Sequence, residues 1–97
     1  LNWDDLLIEA FSNRIRVGIL RLLSSSGGGM NISRIARTLN ISYSSAERNL
    51  EALKSAGILE EVRLGRVRIY RLSGRREVRA ILRCLVPHEL EGFRKDS

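Results

Sequence analysis

Apolar residues recur along this chain first with a helical and then with a strand period, and the change follows Gly57. Leu6, Leu7, Ala10 and Phe11 set an opening helical stripe. Asn2 is placed to cap it, and Asp4 and Asp5 fall in the first turn, where carboxylates suit the helix dipole. Ser12 interrupts the stripe, and Ile15, Ile19, Leu22 and Leu23 carry a helical face to about Ser24. One bent helix and two consecutive helices both fit. Ser24 to Gly29 (SSSGGG) has no side chain large enough to pack and reads as a linker. It lacks the strand before it and the Lys-Ser/Thr after it that a phosphate loop needs. Met30 to Ile32 is then a short extended piece.

The most informative stretch is Ser33 to Gly57, SRIARTLNISYSSAERNLEALKSAG. Ile35, Ala36 and Leu39 have helical spacing, with Ile41 just past a turn at Asn40, a residue type that tolerates the left-handed conformation. Ala46, Leu50 and Leu53 repeat at i, i+4 and i+7, so one side of a second helix is predicted to be buried. Ser33 and Ser42 are placed to cap the two starts. Ser44 with Glu47 also matches a capping box, which would move the second start two residues on. A short helix, a tight turn and a longer helix closed by Gly57 is the helix-turn-helix plan.

Leu59 to Leu64 and Val67 to Leu72 then alternate around Gly65-Arg66, which spells a β-hairpin, or wing. Arg66, Arg68, Tyr70 and Leu72 share one face of the second strand, and Val67, Ile69 and Arg71 share the other. Either face could pack inward. Ser73-Gly74 breaks the strand and can cap a last helix, Arg75 to about Val86, whose stripe is Val78, Ile81, Leu82 and Leu85. Pro87 stops it, and residues 87–97 read as a polar tail. The expectation is one domain over 1–97, mainly α with a small hairpin, with its core in about 12–86.

Seventeen Lys and Arg against eleven Asp and Glu give a net charge of +6. Its placement matters more than its size. Residues 59–76 carry +4 and 30–58 carry +2, whereas both ends are neutral. The excess lies on the helix pair and the hairpin, which suits a polyanionic partner. A single cysteine, Cys84, excludes an intrachain disulfide. It reads as a small buried hydrophobe or, alternatively, as a redox cross-link to a second copy. No apolar run approaches the ~18 residues of a membrane span, so the chain is expected in the cytoplasm, near the nucleoid, without membrane contact. No catalytic constellation is evident, and no cofactor is expected.

Helix, helix, recognition helix, two-stranded wing, helix is the winged-helix plan. The sequence resembles ArsR-like winged-helix transcription regulators, with MarR-type proteins close behind. Arg16 to Leu23 (RVGILRLL), Ile41 to Leu59 (ISYSSAERNLEALKSAGIL) and Gly65 to Leu72 (GRVRIYRL) carry the resemblance. Metal-sensing members place Cys or Asp/His sets in the helix before recognition or in the last helix. Ser33 to Asn40 has no Cys or His, and Cys84 with His88 cannot complete a zinc site, so no metal is expected.

The resemblance implies that Tyr43, Ser44, Ser45, Glu47 and Arg48 face bases in the major groove of double-stranded DNA, where Arg48 suits guanine. Arg63, Arg66 and Arg68 are assigned to phosphates or the minor groove, and Arg34 and Arg37 to the backbone that the preceding helix crosses. Leu6, Leu7, Phe11, Ile81, Leu82 and Leu85 offer more apolar surface than so small a core needs. In related regulators such terminal helices form a two-fold dimer interface, so a homodimer is expected. The function implied is sequence-specific transcriptional regulation, as a repressor. A winged helix docking onto a larger transcription or processing assembly is the alternative, and RNA is neither supported nor excluded.

Overall fold

The computed structural model describes residues 2–85, with the side chains of Cys84 and Leu85 left aside. The expectations for those two side chains and for 87–97 lie outside the described residues. In chain order the elements are α1 (Trp3–Phe11), α2 (Arg14–Ser25), β1 (Met30–Asn31), α3 (Ile32–Leu39), α4 (Tyr43–Ser55), β2 (Leu59–Leu64), β3 (Val67–Leu72) and α5 (Arg76–Leu85).

Side-chain caps set the helix boundaries. Asn2 Oδ1 accepts from the backbone N–H of Asp4 at 2.8 Å, opening α1 as expected. Asn13 does the same for Arg16 at 2.9 Å, so the first segment is two helices, not one bent one. The expected Ser33 cap is corrected to Asn31, whose Oδ1 accepts from Arg34 N at 2.8 Å. As the last residue of β1, Asn31 already has the extended backbone that an N-cap requires. Ser42 caps α4 by accepting from Ser45 N at 3.1 Å, which settles the alternative start at Ser44.

Both helices of the central pair end in the same motif. Asn40 is left-handed (φ 56°), with its own N–H on Arg37 O and that of Ile41 on Ala36 O. Gly57 (φ 83°) repeats this, with its N–H on Lys54 O and Ile58 N–H on Leu53 O. These are Schellman closures, and each turns the chain sharply where the sequence predicts a stop.

The sheet is three-stranded and antiparallel, in the order β1-β3-β2. β2 and β3 pair from Leu59↔Leu72 to Leu64↔Val67, as the hairpin pattern predicts. The third strand adds to that prediction: Met30 and Asn31 pair with Tyr70 and Ile69. Two residues carry no readable period, so only their extended character was legible. Of the two hairpin faces, the one bearing Tyr70 packs inward, and Leu64 and Val67 stay exposed at the tip. Ser73 does not serve as a cap for α5 in this arrangement. Its Oγ donates to Gly57 O at 3.0 Å and so fastens the end of β3 to the turn after α4.

The core gathers Leu6, Ile19, Leu20, Ile35, Leu50 and Leu53 with Ile58, Tyr70, Val78 and Ile81. Ala46 and Leu53 bracket Leu50 on the buried side of α4, as their spacing predicts. Gly29 closes the linker at φ +94°, and a Cβ there would lie 2.5 Å from Tyr70 O. Gly29→Ala should therefore lower unfolding free energy by at least about 3 kcal/mol, combining left-handed strain with a clash against β3. Gly27→Ala, at φ +71° in open space, should cost only about 1–2 kcal/mol. Equilibrium denaturation of the two variants checks this, and equal losses would contradict the close approach.

Candidate nucleic-acid interface

Burying Ala46, Leu50 and Leu53 turns the opposite side of α4 outward. Tyr43, Ser44 and Arg48 are exposed, and Ser45 and Glu47 are half-buried. Beside this face, where the start of α4 meets the wing tip, lies a cleft of about 300 Å³. Asn31, Ser33, Arg37, Tyr43, Arg66 and Arg68 are among its lining. The fold thus brings together three separately predicted groups: the start of α4, the preceding helix and the wing. Arg34, Arg37, Arg48 and Arg66 form no ion pair among the described residues. Their charge is available to a partner. Arg63 is also well exposed, with its Nε 3.3 Å from Glu61 Oε2.

Arg68 departs from the expectation of phosphate contact. Its Nε donates to Glu61 Oε2 at 2.8 Å and its Nη1 to Glu47 Oε2 at 2.7 Å, while Nη2 reaches Glu51 Oε1 and the Tyr70 hydroxyl. Its guanidinium carbon lies 5.5 Å from the centroid of the Tyr70 ring. Glu47, expected to face bases, is turned toward the wing by this bond. Lys54 Nζ donates to the other Glu61 oxygen at 2.7 Å. Bonds from Lys54 and then Arg68 hold the Glu61 carboxyl far below its ordinary range, at about 2. The bond to Glu61 in turn raises Lys54. Burial, followed by its bond to Glu51, pushes the Tyr70 phenol well above the usual tyrosine range.

Glu51, Glu61, Lys54 and Tyr70 were not singled out from the sequence. The available signal was Glu47 with Glu51 at i, i+4 on the polar side of a helix in a basic chain. Asn49 was missed as well. It is buried on α4, where its Oδ1 accepts from Arg16 Nε (3.0 Å) and Asn13 Nδ2 (3.1 Å), and its Nδ2 donates to Ser45 O. Arg16 also pairs with Glu9 at 2.6 Å, so α1, α2 and α4 are tied by one polar chain.

The expected dimer surface needs correction. Leu6 and Ile81 are each 1% exposed within a single copy, so neither has surface left for a second. Leu7 and Phe11 do remain exposed, joined by Trp3 and by Ile8, which is 62% exposed. Leu82 is half-buried against the core. Among the described residues no group of three or more His, Cys, Asp or Glu side chains could hold a metal ion. No helix among them is long and apolar enough to cross a membrane.

Residues 11–62 match a family described as a helix-turn-helix domain. The chain belongs to this helix-turn-helix family. The match covers more than half of its length and ends within β2, so the rest of the wing and α5 rest on likeness to solved structures. A homodimeric winged helix-turn-helix DNA-binding domain from Mycobacterium bovis, described as a possible ArsR-family transcriptional regulator, is 28% identical. The likeness covers 93% of this chain and 78% of that one, with a TM-score of 0.69. A predicted DNA-binding transcriptional regulator from E. coli is 26% identical over 81% of each chain, with a TM-score of 0.70. HlyU from Vibrio cholerae is 24% identical, covers 88% of this chain and 89% of its own, and has a TM-score of 0.75, a likeness of fold alone. No curated protein matches the sequence. The ArsR-like winged helix-turn-helix resemblance is thereby borne out, and family and fold are those of transcriptional regulators, not of enzymes.

The depressed Glu61 carboxyl makes a signed pH prediction. Stability from ionised Glu61 should be complete above about pH 4.5 and lost as pH falls through about 2. The stability advantage of the natural chain over Glu61→Gln should therefore shrink between pH 5 and pH 2 in denaturant titrations. A difference that stays constant across this range would show that the pairing with Lys54 and Arg68 does not govern the carboxyl.

Proposed function

We propose that this chain is a sequence-specific regulator of transcription that binds double-stranded DNA as a homodimer. The observation that supports this most is the cleft where Arg37, Tyr43 and Arg66 converge beside the polar side of α4. An α-helix fits the major groove of B-DNA, and the first two turns of α4 present a side chain suited to guanine, Arg48, beside hydroxyls that suit either base type. In this reading Tyr43, Ser44, Ser45 and Arg48 meet base edges or adjacent phosphates. Arg34, Arg37, Arg63 and Arg66 meet the backbone, with Arg66 at the wing tip reaching phosphate or minor groove. Occupation of an operator by such a dimer would repress the promoter that overlaps it.

The homodimer rests on α1. Its inner side, Leu6 and Ala10, is consumed by the core, yet Trp3, Leu7, Ile8 and Phe11 form a second apolar side exposed to solvent. A helix that is apolar nearly all round needs a second cover. The M. bovis domain is itself described as homodimeric. Two copies joined two-fold would present two α4 helices to a palindromic site. Ile8→Glu should give a monomer by sedimentation and bind a selected operator at least tenfold more weakly. A dimer that survives this change would place the interface elsewhere.

DNA binding is tested with random and selected duplexes across a salt series. Roughly six phosphate contacts predict a log–log slope near −5. Arg48→Ala should reduce the preference for the selected duplex, by about 1–3 kcal/mol at the affected base pair. Arg66→Ala should weaken binding to all sequences and flatten the slope by about one unit. Equal losses on every sequence from both changes would contradict this division, and no binding at low salt would overturn the proposed function.

A further inference from the structure

Charge, and not apolar packing, joins the outer half of the wing to α4. β1 supports the hairpin only at Ile69 and Tyr70, and toward the tip that support stops. Arg68 is the next residue outward. There its guanidinium meets Glu47 and Glu51, one turn apart on α4, and Glu61 across the hairpin. Four of its five N–H donors are directed at three carboxylates and the Tyr70 hydroxyl, and Tyr70 in turn donates to Glu51 at 2.9 Å. Lys54 closes the cluster by holding the second oxygen of Glu61.

Three carboxylates between the start of α4 and the wing oppose a polyanion, in a chain whose charge excess otherwise lies in this region. Attraction alone gives no reason for them. Their shared bonding to one arginine does. A planar, permanently charged guanidinium fixes three acceptors in direction as well as in distance, which a lysine would not. A two-stranded hairpin is marginal without such support.

We propose that Glu47, Glu51 and Glu61 are positioning residues that act through Arg68 to hold the wing at a set reach from α4, with Arg68 withdrawn from DNA. This rests on the DNA-binding reading above. With the reach preset, engagement of α4 brings Arg66 to the duplex without a further ordering cost. A loosened wing keeps its arginines but loses that register.

The test uses the full chain with Glu51→Ala, which makes the protein more positive by one charge. Binding to a selected operator should become at least fivefold weaker, while binding to random duplex is unchanged or tighter. Tighter binding to both duplexes, the result of charge alone, would overturn the proposal. Adding Arg68→Met to Glu47→Ala/Glu51→Ala should then change operator binding less than twofold and leave the salt slope unchanged. A further loss on every sequence, with the slope flatter by about one unit, would show that Arg68 itself contacts phosphate. Amide exchange in the free protein separates this from failure of the regulator reading. Glu51→Ala should speed exchange at residues 62–69 at least tenfold and leave α2 and α3 unchanged, whether or not the natural chain binds DNA. Unchanged protection in the wing would overturn the brace even if the natural chain binds DNA.

Discussion

The burial of one side of α4 is the constraint on which the rest of the molecule depends. Ala46, Leu50 and Leu53 have no exposed surface, so the helix can neither roll nor lift without opening the core. Its ends are fixed independently, by the Ser42 cap before it and by the closure at Gly57 after it. Ile58 and Leu59 follow directly into the core and start the wing at a set angle. What faces outward from α4 is therefore decided by what cannot.

A second constraint acts at the outer surface. The wing carries the densest positive charge in the sequence, yet its central arginine is spent on the protein itself. Surface ion pairs are individually weak, commonly under about 1 kcal/mol. Arg68 differs by geometry: it is largely shielded, it bonds to three carboxylates from two elements, and it lies against Tyr70. Removing one partner from such a set leaves the others with unmatched charge, which is why the set behaves as a unit. The arginines left unpaired, Arg34, Arg37, Arg48 and Arg66, are the ones the proposed function uses.

Much of this architecture was legible in the sequence because it rests on local rules. Helical stripes, Asn and Gly at left-handed stops, and a Gly-containing hairpin turn each declare themselves within a few residues. The elements that were not legible depend on distant partners. β1 is two residues long and is a strand only because β3 lies beside it. Asn31 caps α3 because β1 leaves it extended, a condition that Ser33 does not meet. The role of Arg68 was hidden for the same reason: a strand arginine near a turn looks exposed until the register places Glu61, Glu47 and Glu51 around it. Leu6 and Leu7 are adjacent and chemically alike, and only the packed core reveals that one lies inside and the other outside.

The measurement that tests the central claim most directly is a residue-resolved amide and arginine Nε chemical-shift titration of the isotope-labelled chain with a selected duplex. Large changes should cluster at Tyr43 to Arg48, Arg37 and the Gly65-Arg66 tip. The Arg68 Nε signal should keep its free-protein position, still bonded to Glu61. Changes confined to α1 and α5, with α4 and the wing tip silent, would contradict the assignment of this face to DNA.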